Sequence, residues 1–299
     1  MLRLKRHRCT LFTLAFFPLV VWFVLGWMLA GHPAFFPATL QDSKSTLLVV
    51  AHPDDECLFF SPSVLWASTR AHAATSILVL SSGNHYGLGD LRRTELEGSC
   101  EQLGVPKSRC EVLDLPDIQD DPHEWWSVEE IIDVVKDRVR KYNVDVIITF
   151  DAGGVSGHIN HRAVSAAVTQ YAVNTPGAPA VYLSQTVNVV RKYIGLFDLP
   201  LSALPFLPNL IFHRWGDQHL TFSSSSPSEA VAPMSPPYNA HTESDKSLSE
   251  IRRKERGPGE RALLVGDISM YFAARHAFAS HASQLVWDRY LYMVLSRYM

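Results

Sequence analysis

Leu47 to Phe60 reads LLVVAHPDDECLFF, an apolar run that breaks into His52-Pro53-Asp54-Asp55-Glu56 and then returns to apolar residues. Burying charge is costly unless the charge is paired or holds a metal. A histidine and three acids at the end of a strand-like segment therefore predict an ion-pair or metal site. The same apolar pattern recurs as TLLVVA from Thr46, SILVLS from Ser76, CEVLDL from Cys110, VDVIITF from Val144 and AVYLSQ from Ala180. Between these runs lie TELEGSCEQLG from Thr94 and VEEIIDVVKDRVRKY from Val128, whose apolar residues repeat at helical spacing. Strands alternating with helices imply an α/β, Rossmann-like fold with a mostly parallel sheet covered on both faces. In such sheets ligands bind beyond the carboxyl ends of the strands. His52 to Asp55 follow one strand directly and FDAGGVSGHINH, Phe150 to His161, follows another, so both polar clusters are expected at one sheet edge.

The rest of the chain frames that domain. Its 299 residues suffice for one large domain plus an anchor or tail, and a net charge of -3 argues against nucleic-acid binding. Cys9, Cys57, Cys100 and Cys110 form no C-x-x-C pair and no dense framework, and are read as reduced thiols. Residues 1–10 are a basic amino-terminal segment. Residues 11–30 carry no charge and match the length of one transmembrane helix, which favours a retained anchor over a cleaved signal peptide. Residues 31–45 form a linker. The α/β domain then occupies 46–222 and 261–299, interrupted at 223–260 by a Ser-, Pro- and charge-rich insertion expected to be disordered. Gly195 to Phe212 is apolar but broken by Pro200, Pro205 and Pro208, so it reads as a core or membrane-surface segment and not a second span.

The chemistry rests on HPDD and HINH together. Catalytic zinc takes three protein ligands from His, Asp or Glu and keeps one position for water. His52 and Asp55 come from one turn, and His158 and His161 are three residues apart. By itself, H-x-x-H at a helix start is often coincidence, and Asp54 and Asp55 could serve only as helix caps. Capping leaves His52 unexplained, however.

AHPDDE together with GHINH resembles the LmbE-like family of zinc-dependent sugar N-deacetylases. The flanking segments TLLVVAHPDDECLFFSPSV, DLRRTELEGSCEQLGVP, VIITFDAGGVSGHINHRA, QTVNVVRKYIGLFDLPLS and SHASQLVWDRYLYMVLSRYM are similar to its branch that acts on N-acetylglucosamine linked to phosphatidylinositol in GPI-anchor synthesis. The similarity covers Thr46 to about Phe212 and Arg261 to Met299. It implies a Zn2+ or other divalent site with His52, Asp55 and His161 as ligands, Asp54 as general base and a protonated His158 stabilising the oxyanion. Arg92, in a G-x-x-R-x-x-E motif, is expected to hold the substrate phosphate or inositol, or else to pair with Glu95. His281, in HASQ, is expected to touch substrate or to orient the carboxyl-terminal helix. Where the family often has an acid before the last histidine, this chain has Asn160.

The resemblance further implies a single-pass protein of the endoplasmic-reticulum membrane with its catalytic domain on the cytoplasmic side. The absence of an N-x-S/T sequon agrees with that side, whereas Arg3, Lys5, Arg6 and Arg8 ahead of the span favour the opposite orientation. A de-N-acetylase of another N-acetylglucosamine conjugate and a catalytically silent lipid-binding protein are the competing readings.

Overall fold

The computed structural model describes residues 20–213 and 260–298, residue 22 excepted. Its centre is a sheet of β1 (Ser45–Val50), β2 (Ala74–Val79), β3 (Cys110–Val112), β4 (Val146–Phe150) and β5 (Ala180–Ser184) in the order β3-β2-β1-β4-β5. Every pairing is parallel. All five expected strands are present, within a residue or two of the expected starts. β1 and β4 are buried along their whole length, which is why they read as unbroken apolar runs; β3 and β5, at the edges, are only half-buried. Asp145 fixes the start of β1 by accepting from Ser43 Oγ at 2.8 Å and from the Lys44 and Ser45 amides at 2.6 and 3.1 Å.

The helices that position the site follow the strands and close the carboxyl-terminal segment. α1 (Asp55–Leu58) follows β1 after the HPDD turn, and α2 (Gly89–Gln102) connects β2 to β3. α3 (Val128–Tyr142), capped by Ser127, buries Ile131, Ile132 and Val135 at helical spacing. It packs on α4 (Ile159–Asn174), which starts at His158. α5 (Val189–Tyr193) and α6 (Leu199–Ala203) follow β5. Beyond residue 260, α7 (Ile268–Ala279), capped by Asp267, packs on α2, and α8 (Trp287–Leu295) reaches α5. The chain reverses its strand order between β1 and β4, so the crevice of this sheet opens beyond Val50 and Phe150.

One expectation needs correction. Cys100 and Cys110, read as thiols, form a disulfide. The bridge arises because the end of α2 lies beside the first residue of β3, a proximity that a spacing of ten residues does not reveal. Cys57 is free and buried. Among the described residues, no helix is long and apolar enough to cross a membrane. Of the expected anchor, residues 11–19 and 22 lie outside the described residues, as does all of the expected insertion except Glu260. Glu260 rejoins the domain by accepting from Tyr182 Oη at 3.0 Å.

Candidate metal centre

The fold brings HPDD and HINH together. Among the described residues, His52, His158 and His161 offer ring nitrogens that lie within 4.8 Å of one another. Asp55 stands against two of them: Oδ1 is 3.2 Å from His161 Nε2, and Oδ2 is 3.8 Å from His52 Nδ1. Oδ2 also accepts the Ala51 and His52 amides at 3.1 and 2.8 Å, so the carboxylate is fixed by the backbone of its own turn. Burial opposes its ionisation, but the charge and hydrogen bond of His161 outweigh burial and hold the carboxyl well below the usual range.

Hydrogen bonds assign the imidazole tautomers. His161 Nδ1 donates to Gly154 O at 3.0 Å, which leaves Nε2, the nitrogen that faces Asp55 Oδ1, as the one that would turn its lone pair to a cation, the arrangement typical of a metal-ligating histidine. The ring also stacks on Phe150, with centroids 4.2 Å apart and planes at 7°. His52 Nε2 faces two oxygens, Asp120 Oδ1 at 3.1 Å and Asn160 Oδ1 at 3.2 Å, so it carries the proton and Nδ1 is the free donor. His158 differs. Its Nδ1 accepts the Asn160 amide at 3.3 Å as the cap of α4, which places the proton of the neutral ring on Nε2. Burial, and then the neighbouring His52 and His161, depress its pKa to about 4. The ring is therefore neutral at pH 7, not the imidazolium expected from sequence, and it presents an N–H.

This donor set fits a divalent cation. His52 Nδ1, His161 Nε2 and the Asp55 carboxylate are two imidazole nitrogens that face one ionised acid, the ligand types that would hold a catalytic zinc. His158 is the alternative third ligand by distance, but its tautomer makes Nε2 a hydrogen-bond donor.

Asp54 lies beside this group in a strained backbone conformation, with φ at +119°. Its side chain makes no cap hydrogen bond to α1, so the capping role does not apply. Burial, and then the charge on Asp55, push its pKa up to about 6. Two buried groups hold the turn. Glu56 Oε2 accepts the Asp54 amide at 2.9 Å, and Arg92 donates to Pro53 O at 2.7 Å and to Gly83 O at 2.9 Å. The Arg92 guanidinium lies 3.7 Å from Asp54, while Glu95 instead accepts from the Ser283 amide and hydroxyl at 2.7 and 2.6 Å. Arg92 is thus committed to the HPDD turn and does not pair with Glu95.

His281 lies in the interior, where it ties the start of the carboxyl-terminal segment to α1. It is fully buried, and its Nε2 lies 2.7 Å from Glu56 Oε1, which also accepts from Ser99 Oγ at 2.6 Å. The glycines of the second cluster have steric reasons. A Cβ on Gly153 would meet Thr186 Oγ1 at 2.5 Å; Gly154, at φ +62°, would press on His161 Cβ at 2.9 Å. Val155 adopts φ +57°, held by the hydrogen bond that its N–H donates to Thr186 Oγ1 at 2.8 Å. Sequence reasoning missed Asp120, which orients His52. It sits in DIQDDP beyond the carboxyl end of β3, and that position beyond a strand end is its only signal.

Residues 47–172 match the family described as PIG-L, GlcNAc-PI de-N-acetylase. The N-acetylglucosaminyl-phosphatidylinositol de-N-acetylase of Bos taurus is 34% identical over 256 residues, covering 85% of this chain and 80% of the relative. A probable enzyme of the same name from Schizosaccharomyces pombe is 28% identical, covering 86% of this chain and 84% of its own. Among solved structures, the N,N'-diacetylchitobiose deacetylase of Pyrococcus horikoshii aligns with a TM-score of 0.42 at 19% identity, over 59% of this chain and 76% of that one. The HPDD and HINH turns lie inside the matched region, and the similarity to the bovine enzyme extends over most of both chains: this chain belongs to the GlcNAc-PI de-N-acetylase family.

Proposed function

We infer that the chain hydrolyses the acetamide of N-acetylglucosaminyl-phosphatidylinositol, releasing acetate and leaving the free amine, a deacetylation step of GPI-anchor synthesis. The observation that carries this reading is the convergence of His52, Asp55, His158 and His161, with Asp54 next to Asp55 in the same turn, in a chain 34% identical to an enzyme of that name. His52, Asp55 and His161 would hold a divalent cation, with zinc the ion best suited to this donor set. Such a cation, when bound, polarises an acyl oxygen and lowers the pKa of a water toward ~7.

The chain's own residues supply the rest. Asp54, with a pKa near 6, is mostly ionised at pH 7 and basic enough to accept the proton of the attacking water. The neutral His158 directs its Nε2–H at the oxygen where negative charge develops, a fixed donor that needs no reorganisation. Once the tetrahedral carbon forms, Asp54 returns its proton to the departing nitrogen. Asp120 and Asn160 keep His52 in the tautomer that offers Nδ1, and the Gly154 carbonyl does the same for His161.

A lipid-borne substrate accords with the apolar amino terminus. Residues 11–30 are proposed to anchor the chain in the endoplasmic-reticulum membrane, with the catalytic domain on the cytoplasmic face. The test of activity is direct. Purified membranes containing the chain should convert N-acetylglucosaminyl-phosphatidylinositol to the free amine, lose the activity to a chelator and regain it with added zinc. Full activity in a preparation shown to be metal-free would remove the cation from the mechanism.

A further inference from the structure

The catalytic reading leaves Lys192 and Arg289 without a task. Lys192 lies on α5 with its ammonium 5.6 Å from the ring centroid of Phe59, 5.8 Å from that of Tyr193 and 5.6 Å from that of Tyr292. Phe59 in turn meets His161 edge-on, with centroids 5.8 Å apart, so a single aromatic ring separates the ammonium from the metal centre. Arg289 lies on α8, three residues before Tyr292 and therefore on the same side of that helix. Its Nε is buried and has no hydrogen-bond partner.

Among the described residues, no carboxylate pairs with either cation. The nearby Asp198 is taken up by Arg191, Arg297 and the Ser202 hydroxyl. The aromatic contacts explain how a lysine is tolerated here, because a cation over several rings is stabilised. They do not explain a second cation beside it with a buried, unanswered N–H. Burial, and then the charge of Arg289, lower the pKa of Lys192, as expected for two neighbouring cations that lack an anion between them.

The same two helices carry an exposed apolar rim: Val189 is 71% exposed, Val190 69% and Trp287 76%, and Leu291 and Val294 are also exposed. The cation pair thus has the metal centre on one side and apolar surface on the other. A substrate that presents, in order, an acetamide sugar, an inositol, a phosphodiester and acyl chains matches that sequence of surfaces. We propose that Lys192 and Arg289 form a phosphodiester subsite, which binds the phosphate between inositol and diacylglycerol while the acyl chains leave over the α5 and α8 rim. The proposal rests on the substrate reading above. Arg289 supplies a planar guanidinium for two phosphate oxygens, and Lys192 supplies a point charge.

The test uses the full chain in detergent and three substrates: N-acetylglucosaminyl-phosphatidylinositol, its acyl-free inositol phosphate, and N-acetylglucosaminyl-inositol without phosphate. Lys192→Gln and Arg289→Gln should each raise KM about tenfold for both phosphate-bearing substrates, with kcat held within about twofold. The phosphate-free substrate should be unaffected, and Lys192→Arg should restore most of the affinity. Equal losses on all three substrates would mean a structural role, and losses confined to the acylated substrate would mean membrane adsorption; either overturns the subsite. Calorimetric binding of inositol 1-phosphate, which needs no turnover, separates this proposal from the substrate reading. If the wild type hydrolyses none of the substrates, the substrate reading fails, yet binding that is lost in Lys192→Gln still supports an anion site. Equal binding in wild type and variant sinks the subsite, and inorganic phosphate binding as tightly as inositol 1-phosphate overturns its assignment to the headgroup.

Discussion

Asp54 and Asp55 are adjacent in sequence and opposite in character. Asp55 is held ionised by imidazoles and by two amides of its own turn, the environment of a ligand. Asp54 is raised toward neutrality by burial and by the charge next door, the condition of a general base near pH 7. The residue also sits at φ +119°, a conformation costing roughly 1–3 kcal/mol that persists because Glu56 and Arg92 hold the turn from below. Asn accepts positive φ about as readily as Asp, so Asp54→Asn tests chemistry without altering the backbone. That variant should keep its metal and lose about 100-fold or more in kcat, whereas Asp55→Asn should lose both metal and rate. Metal analysis beside steady-state kinetics distinguishes the two. Equal metal loss in both variants would remove the division of labour. His158→Ala should follow Asp54→Asn, because its Nε2 donates a proton and does not supply a lone pair.

At the scale of elements, the catalytic turn is tied to the carboxyl-terminal segment by one buried ion pair. Glu56 opens α1 beneath Asp54, and His281 lies just past α7, 225 residues away in sequence. Burial opposes the charge on each group, but each partner outweighs it: Glu56 is held below the usual carboxylate range and His281 above the usual histidine range. The depressed Glu56 stabilises the fold above its unfolded pKa of about 4.5, and this contribution is lost as pH falls through the folded value. The raised His281 stabilises it below about 6.5, and this contribution is lost as pH rises through the folded value. His281→Ala leaves Glu56 as a buried, unpaired acid and should cost about 3 kcal/mol or more. The gap in melting temperature between wild type and His281→Ala should be widest between about pH 4.5 and 6.5 and should narrow outside that window. A gap independent of pH would mean that the imidazole acts only by filling space.

For the whole molecule, membrane side is the property on which the observations divide. The substrate class and the missing sequons favour a cytoplasmic domain, whereas the basic residues ahead of the apolar segment and the Cys100–Cys110 bridge favour an oxidising lumen. If the domain is cytoplasmic, protease added to intact microsomes should digest it from Ser43 onward. A sequon engineered into the 223–260 segment should stay unmodified. Protection from protease, together with glycosylation of that sequon, would place the domain in the lumen.

The amino-acid sequence determined by itself the parallel α/β architecture, because β1 and β4 are buried on both faces and hence uniformly apolar, and because period-3.6 stretches separate the strands. It also determined which turns carry chemistry, since a sheet of this kind can place polar clusters only beyond its strand ends. Tertiary structure alone decided which side chains face one another across those turns. Asp120 reaches His52 from the loop after β3, Asn160 reaches the same ring from α4, and the tautomers that separate ligand from donor follow from those partners. The Glu56 partner of His281, and the roles of Cys110, Lys192 and Arg289, were likewise unreadable, because they depend on contacts made across long separations or on the absence of a counter-ion. Local pattern encodes which face of an element is buried; the partner that a buried charge finds is set only when the elements pack.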